Sequence, residues 1–429
     1  MRRSWYPSVV LRSFAAAALV VGLATSQAAA GESLVTPGAR VAIVGDSITE
    51  QKIYSKYMEA YLLACSGVKD VSVFQYGWSG ERAPGFAARL ENDTAGFKPT
   101  VVTLCYGMND GSYQPFNEQI GKTYEAAMRD IAKKLAGIGV TKIVFGSPGA
   151  VDDYFFRPGQ TFADGKPAAV SYNDNLAHLR DIDKKLAEES KQNFADVHAA
   201  MFDTMKKAQA KLGEKYNVCG SDGFHPGPNG QLLMAYAFLK GLGVDGDIGT
   251  IEIDMKSADG GKMDVESTRW PFCFDGDEKN PNGTRSILPF VSFNDDLNRY
   301  TLKVKNLDAP KATVTWGSET KEFTGEQLTK GINLMAEFTK TPFDASFAKL
   351  LEAIAAKQAH ETYMIKSVIT KWRDLGVAEA KDDPEVAAAL KVLQTKIGGK
   401  LYEKHAALDA EVKKLLVPVK HTITVTPAK

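Results

Sequence analysis

Between residues 40 and 242 the chain alternates short runs rich in β-branched and aromatic residues with longer segments of helical periodicity. Residues 41–44, 71–74, 101–104, 143–145 and 194–197 are short, mostly apolar runs, the pattern of strands buried on both faces of a sheet. Between them, Tyr54, Tyr57, Met58, Tyr61 and Leu62 recur at helical spacing, as do Ile120, Tyr124, Ala127, Met128, Ile131 and Leu135. Strands alternating with helices predict a parallel sheet covered on both sides. The expected fold is α/β, a flavodoxin-like doubly wound domain. Pro228-Asn229-Gly230 followed by the apolar stretch 231–238 predicts a last helix that packs back on the sheet, with Gly241 and Gly243 at its end.

Beyond Val244 the pattern changes to Gly, Asp and Asn turns between short alternating segments. Residues 251–255, 286–293, 300–304, 312–316 and 321–323 read as strands of an antiparallel β unit. From Ile332 the helical period returns, with Phe347, Leu350, Leu351 and Ile354 on one face. Asp383-Pro384 supplies a helix start, Asp as cap and Pro at the first helical position. Residues 422–426 alternate again and suit a strand that returns to the β unit. The expected organisation is therefore a domain at 38–243, a β-rich accessory region at 244–330, and a helical extension at 331–429 with a possible terminal strand. No internal repeat is visible.

Residues 1–30 stand apart. Arg2, Arg3 and Arg12 flank an apolar run at 14–24, and Ser26-Gln27-Ala28-Ala29-Ala30 precedes Gly31, the make-up of a secretory signal peptide. The apolar run is about half a membrane-spanning length. The expectation is an exported chain, periplasmic or extracellular, with no transmembrane segment. Lys+Arg and Asp+Glu balance at 52 each, so no basic surplus supports a nucleic-acid partner. Without the leader, 49 basic residues face 52 acidic ones, and nothing in that balance calls for anionic lipid. Oligomeric state is not legible.

Export places Cys65, Cys105, Cys219 and Cys273 in a disulfide-permissive compartment. Cys65 and Cys105 lie in apolar patterns and read as core residues. Cys219 and Cys273 lie in loop-like sequence, so a bridge, if one forms, is expected there; four unpaired thiols are the alternative.

Chemistry-bearing residues gather at the strand ends. Gly45-Asp46-Ser47-Ile48 follows the first strand, Gly77-Trp78-Ser79-Gly80-Glu81 the second, and Gly107-Met108-Asn109-Asp110 the third. All three reach the same edge of a parallel sheet, where ligands bind. Asp222-Gly223-Phe224-His225-Pro226 precedes the closing helix and places a carboxylate and an imidazole three residues apart. A serine hydroxyl needs a neighbouring imidazole to take its proton, and the imidazole needs a carboxylate to fix its tautomer. Ser47, His225 and Asp222 fill these roles. The developing oxyanion needs preorganised donors, for which the N–H groups of Ser47 and Gly80 and the side-chain amide of Asn109 are the candidates. A Gly-Asp-Ser turn taken alone is equally a helix cap; the co-occurrence of the other segments argues for catalysis.

These four blocks resemble the GDSL, or SGNH, hydrolase superfamily. Ser47 matches its nucleophile, Gly80 the second-block glycine, Asn109 the third-block asparagine, and Asp222 and His225 the final block. The resemblance covers about 38–243 and implies an SGNH hydrolase-like fold acting on esters, thioesters or acetylated carbohydrate. Many relatives carry an asparagine shortly before the second-block glycine, where this chain has Gln75. The tail, with Leu297-Asn298-Arg299-Tyr300, Trp316-Gly317 and Gly331-Ile332-Asn333-Leu334, resembles extensions of large exported bacterial members.

The leading expectation is an exported serine ester hydrolase that removes O-acetyl groups from carbohydrate. A short-chain carboxylesterase is the alternative, with a thioesterase or phospholipase behind it. A different class, a non-catalytic polysaccharide-binding protein, would use exposed Trp270 or Trp316 as sugar platforms, whereas a small β core would bury both. Trp78 is placed to border an acyl site or to support a sugar. His178, His198, His360, His405 and His421 lack metal-ligand spacing, and 275–278 reads as an acidic turn, so neither a metal nor a cofactor is expected.

Overall fold

The computed structural model describes residues 33–257 and 261–428; the expected leader lies outside the described residues. Five parallel strands form the first sheet: β1 (Arg40–Gly45), β2 (Ser72–Gln75), β3 (Val101–Cys105), β4 (Lys142–Gly146) and β5 (Asn193–Ala195), in the order β2-β1-β3-β4-β5. Side chains alternate across a strand, and β1 shows the consequence. Val41 and Ile43 enter one core with the helices Tyr54–Ala60, Val197–Leu212 and Pro228–Gly241. Ala42 and Val44 enter another with Ala83–Thr94, Glu118–Gly137 and the later part of Ala168–Ser190. The strand order reverses direction at β1, so the ends of β1 and β3 open onto the crevice where doubly wound sheets bind ligands.

The C-terminal half holds two further sheets. β6 (Asp247–Asp254), β8 (Arg299–Lys305) and β11 (Ile332–Asn333) form a three-stranded sheet ordered β11-β8-β6, while β7 (Lys262–Ser267), β9 (Lys311–Trp316), β10 (Glu319–Thr324) and β12 (Val419–Pro427) form a four-stranded one ordered β10-β9-β12-β7. The second is antiparallel throughout. In the first, β6 and β8 run parallel, which corrects the expectation of a wholly antiparallel unit: the long connection between them leaves room for a crossover. Residues 286–293, expected as a strand, instead form the 3-10 turn Arg285–Phe290 and the start of the helix Phe293–Leu297. Pro289 lacks a ladder donor, and Asp295 and Asp296 favour the first turn of a helix.

The helix Asp344–Tyr363 continues through a π-helical turn, Met364–Ile369, into Thr370–Ala378; the helix Pro384–Lys414 starts where Asp383 accepts from Glu385 N–H at 2.9 Å. These helices close the exposed edge of the first sheet. Lys357 Nζ donates to Val73 O at 2.8 Å and Gln75 N–H donates to Glu361 Oε2 at 3.0 Å, so backbone groups that an edge strand leaves open find partners. Among the described residues no helix is long and apolar enough to cross a membrane.

The bridge expected between Cys219 and Cys273 does not form, whereas the burial expected of Trp270 and Trp316 in a small β core is met. All four cysteines are free and buried: Cys219 Sγ faces Met205 Sδ at 3.7 Å while Cys273 Sγ faces Thr341 Oγ1 at 3.8 Å, so the Cys219–Cys273 bridge is absent. Trp270 and Trp316 are 1% and 0% exposed, and their indole N–H groups donate to Val417 O and His421 Nδ1. They build the β core, and neither offers a sugar platform.

Candidate active site

Ser47 opens the short helix Ser47–Glu50 directly after β1, and Asp46 caps it by accepting from Ile48 N–H at 2.9 Å. The loop before the helix Pro228–Gly241 brings the other two residues over it. Ser47 Oγ lies 2.9 Å from His225 Nε2, and His225 Nδ1 lies 2.6 Å from Asp222 Oδ2. The second oxygen of Asp222 accepts from the N–H groups of Phe224 at 3.1 Å and His225 at 3.0 Å. Partial burial opposes the charge on Asp222, but the bonds from the His225 ring and from those two N–H groups hold its carboxyl below the ordinary value. An ionised Asp222 is an acceptor only. It therefore fixes the proton on Nδ1 and leaves Nε2 free to accept from Ser47.

The oxyanion candidates sit as the strand ends dictate. Among the described residues neither Ser47 N–H nor Gly80 N–H has an acceptor within the chain. Gly80 has φ +72, a backbone conformation that glycine adopts without penalty. Gly77 is needed for another reason: a Cβ there would come within 2.2 Å of Glu50 N, so the second block lies against the helix that carries Ser47. Asn109 is half-buried, and its amide nitrogen donates to Glu81 O at 3.1 Å and to Asp46 Oδ2 at 3.3 Å. The latter bond is the longer of the two. Burial pushes the Asp46 carboxyl up to about 7 against the Ile48 hydrogen bond, and Asp110 and Glu81 add to the rise.

Tyr113, which the sequence did not single out, completes the site together with Asp110 and Gln75. Tyr113 donates its hydroxyl to Asn109 Oδ1 at 2.9 Å, which assigns the amide orientation. Asp110 accepts from Ala83 N–H and Gly107 N–H at 2.9 and 3.0 Å and so ties the second block to the third. Gln75 Oε1 accepts from Gly77 N–H at 3.0 Å, and its amide donates to Thr362 Oγ1 at 2.5 Å, joining the second block to the C-terminal helix. Trp78 does not line the cleft. The Arg89 guanidinium and the Lys366 ammonium lie over its ring at 4.9 and 5.1 Å, in the manner of cation–π contacts. The cleft itself is open, about 520 Å³, and lined by Ser47, Glu50, Gln51, Lys52, Ser79, Ser221, Asp222 and His225. Not one of these is apolar.

The family model described as GDSL-like Lipase/Acylhydrolase matches residues 43–233, the span that contains every residue of the Ser47 site. Over that span, less than half of the chain, the protein is similar to the GDSL-like lipase/acylhydrolase family. The protein is thus a serine hydrolase acting on esters. An acetylxylan esterase of Geobacillus stearothermophilus is 24% identical over 229 residues, 48% of this chain and 95% of that protein. Its crystal structure superposes with a TM-score of 0.39 at 22% identity, over 49% of this chain and 96% of the esterase. A gut microbial diltiazem-metabolizing enzyme is similar over 92% of this chain and 98% of its own, with a TM-score of 0.69 at 19% identity. That coverage is too large for the GDSL-like domain alone, so the C-terminal β and helical units recur in the second fold.

Proposed function

We propose that the protein is an exported hydrolase that removes O-acetyl groups from carbohydrate through an acyl-enzyme on Ser47. The observation that carries the mechanism is the chain of contacts from Ser47 Oγ to His225 Nε2 at 2.9 Å and from His225 Nδ1 to Asp222 Oδ2 at 2.6 Å. Ser47 Oγ attacks the ester carbonyl carbon as its proton passes to Nε2, and the carbonyl electron pair moves onto the oxygen. That oxyanion is received by the free N–H groups of Ser47 and Gly80 and by the Asn109 amide. Collapse breaks the bond to the alcohol oxygen, which takes the proton from His225. Water then adds to the acyl-enzyme with His225 again accepting a proton, and Ser47 regains its hydrogen as the acid leaves.

The carbohydrate reading is supported by the cleft. The residues that line it are all polar or charged and it is open to solvent, which suits a hydroxyl-rich alcohol and a two-carbon acyl group. The acetylxylan esterase similarity points the same way, and the arginine-flanked leader supports export. A panel that pairs acyl chain length with acetylated glycans tests the proposal. Acetate release from an acetylated polysaccharide, with activity falling as the acyl chain lengthens, is expected; preference for long acyl chains with no acetate from any glycan would overturn the substrate.

A further inference from the structure

The cleft contains a carboxylate that the acyl-transfer steps leave unused. Glu50 lies three residues after Ser47, yet its side chain turns to the second block: Oε2 accepts from Ser79 N–H at 2.5 Å and from Ser79 Oγ at 2.6 Å. Ser79 immediately precedes Gly80, so the peptide that carries the Gly80 N–H begins at the residue Glu50 holds. The carboxylate is itself held from the C-terminal extension. Lys366 Nζ lies 2.8 Å from Glu50 Oε1 and 2.9 Å from Oε2, and the same ammonium lies 5.1 Å from the centre of the Trp78 ring. One lysine, 316 positions from Glu50, thus reaches Trp78 directly and Ser79 through Glu50.

The element that presents Lys366 is unusual. It is the π-helical turn Met364–Ile369, an insertion that shifts helical register and is found often at functional positions. The helix before it is fixed to β2 by Lys357 and Glu361. The ammonium is therefore not a free surface group: Lys366 and Glu50 side chains are 28% and 18% exposed.

We propose that Lys366 is a positioning residue of the active site, which holds Glu50 on Ser79 and thereby aims the Gly80 N–H at the oxyanion. This rests on the reading of Gly80 as an oxyanion donor. It gives the helical extension a direct part in turnover. A donor displaced by a fraction of an ångström loses value in the transition state while ground-state binding is little changed.

The test combines hydrogen exchange with kinetics in the full-length protein, comparing wild type, Lys366→Met, Lys366→Arg and Glu50→Gln. Exchange is followed in peptides spanning 76–82, and kcat and KM are measured on 4-nitrophenyl acetate. For Lys366→Met and Glu50→Gln the expected result is faster exchange at Ser79 and a kcat lower by about 10- to 100-fold with KM within about twofold. Lys366→Arg, which keeps the charge, should retain most of both properties. Unchanged exchange at Ser79 overturns the clamp; faster exchange with wild-type kcat, or a rise in KM at constant kcat, overturns the positioning role. If wild type itself shows no esterase turnover, the catalytic reading falls, and exchange at Ser79 still decides whether Lys366 holds the segment.

Discussion

Lys357 Nζ donates to the carbonyl of Val73 at 2.8 Å across 284 positions of sequence, and this bond ties the helical extension to the edge of the catalytic sheet. The ammonium also meets Glu59 at 2.8 Å and Glu361 at 2.6 Å, all three side chains being 0% exposed. Removing one partner of a buried ion cluster leaves uncompensated charge and typically costs about 3–5 kcal/mol. Lys357→Met should therefore lower unfolding stability by that order in denaturant titration at neutral pH. A loss below about 1 kcal/mol would show that the cluster is not what fastens the extension.

Asp183 gives a pH prediction. It is buried beside Tyr124, whose hydroxyl donates to it at 2.8 Å, and burial holds its carboxyl well above the ordinary value of 3.8. The folded chain then keeps a proton that the unfolded chain gives up, so the contribution to stability is fully present below the unfolded value and is lost as pH rises through the folded one. Asp183→Asn keeps an acceptor for Tyr124 and removes the charge. Its Tm should exceed that of wild type at pH 8, with the difference shrinking towards pH 4. A difference independent of pH would contradict the assignment.

The amide of Asn109 is oriented by Tyr113 through a 2.9 Å bond. Asn109→Ala should cost about 10² to 10³ in kcat, the usual loss for one oxyanion donor. Tyr113→Phe should cost less, because the amide remains but is no longer pinned. Equal losses in the two variants, or an Asn109→Ala enzyme with wild-type kcat, would remove the amide from the oxyanion site.

With Cys219 near Met205 and Cys273 near Thr341, reduction has nothing to break. Peptide mapping without reductant should find four free thiols, and dithiothreitol should leave both Tm and activity unchanged. A 219–273 bridge in purified protein would contradict the packing described above.

The doubly wound sheet was legible because its strands are short apolar runs separated by amphipathic helices. The Asp222–His225 pair was legible because its partners lie within one turn. The failures have physical causes. Residues 286–293 contain enough apolar positions to resemble a strand, but Pro289 and the acidic pair Asp295–Asp296 decide for helix. β7, residues Lys262–Ser267, lies at a sheet edge and fully buries only Ser267, so it carries no strong apolar signal. Cysteine spacing says nothing about Cα proximity. Lys366 had no local signature at all, since its partners Glu50 and Trp78 are reached only through the tertiary fold.

The central claim is that Ser47 is a nucleophile activated by His225, and the mass of the intact protein after treatment with a fluorophosphonate tests it most directly. One stoichiometric adduct is expected, mapped to Ser47, blocked by Ser47→Ala and strongly slowed in His225→Ala. No adduct on folded protein, or full labelling at wild-type rate in His225→Ala, would contradict the account.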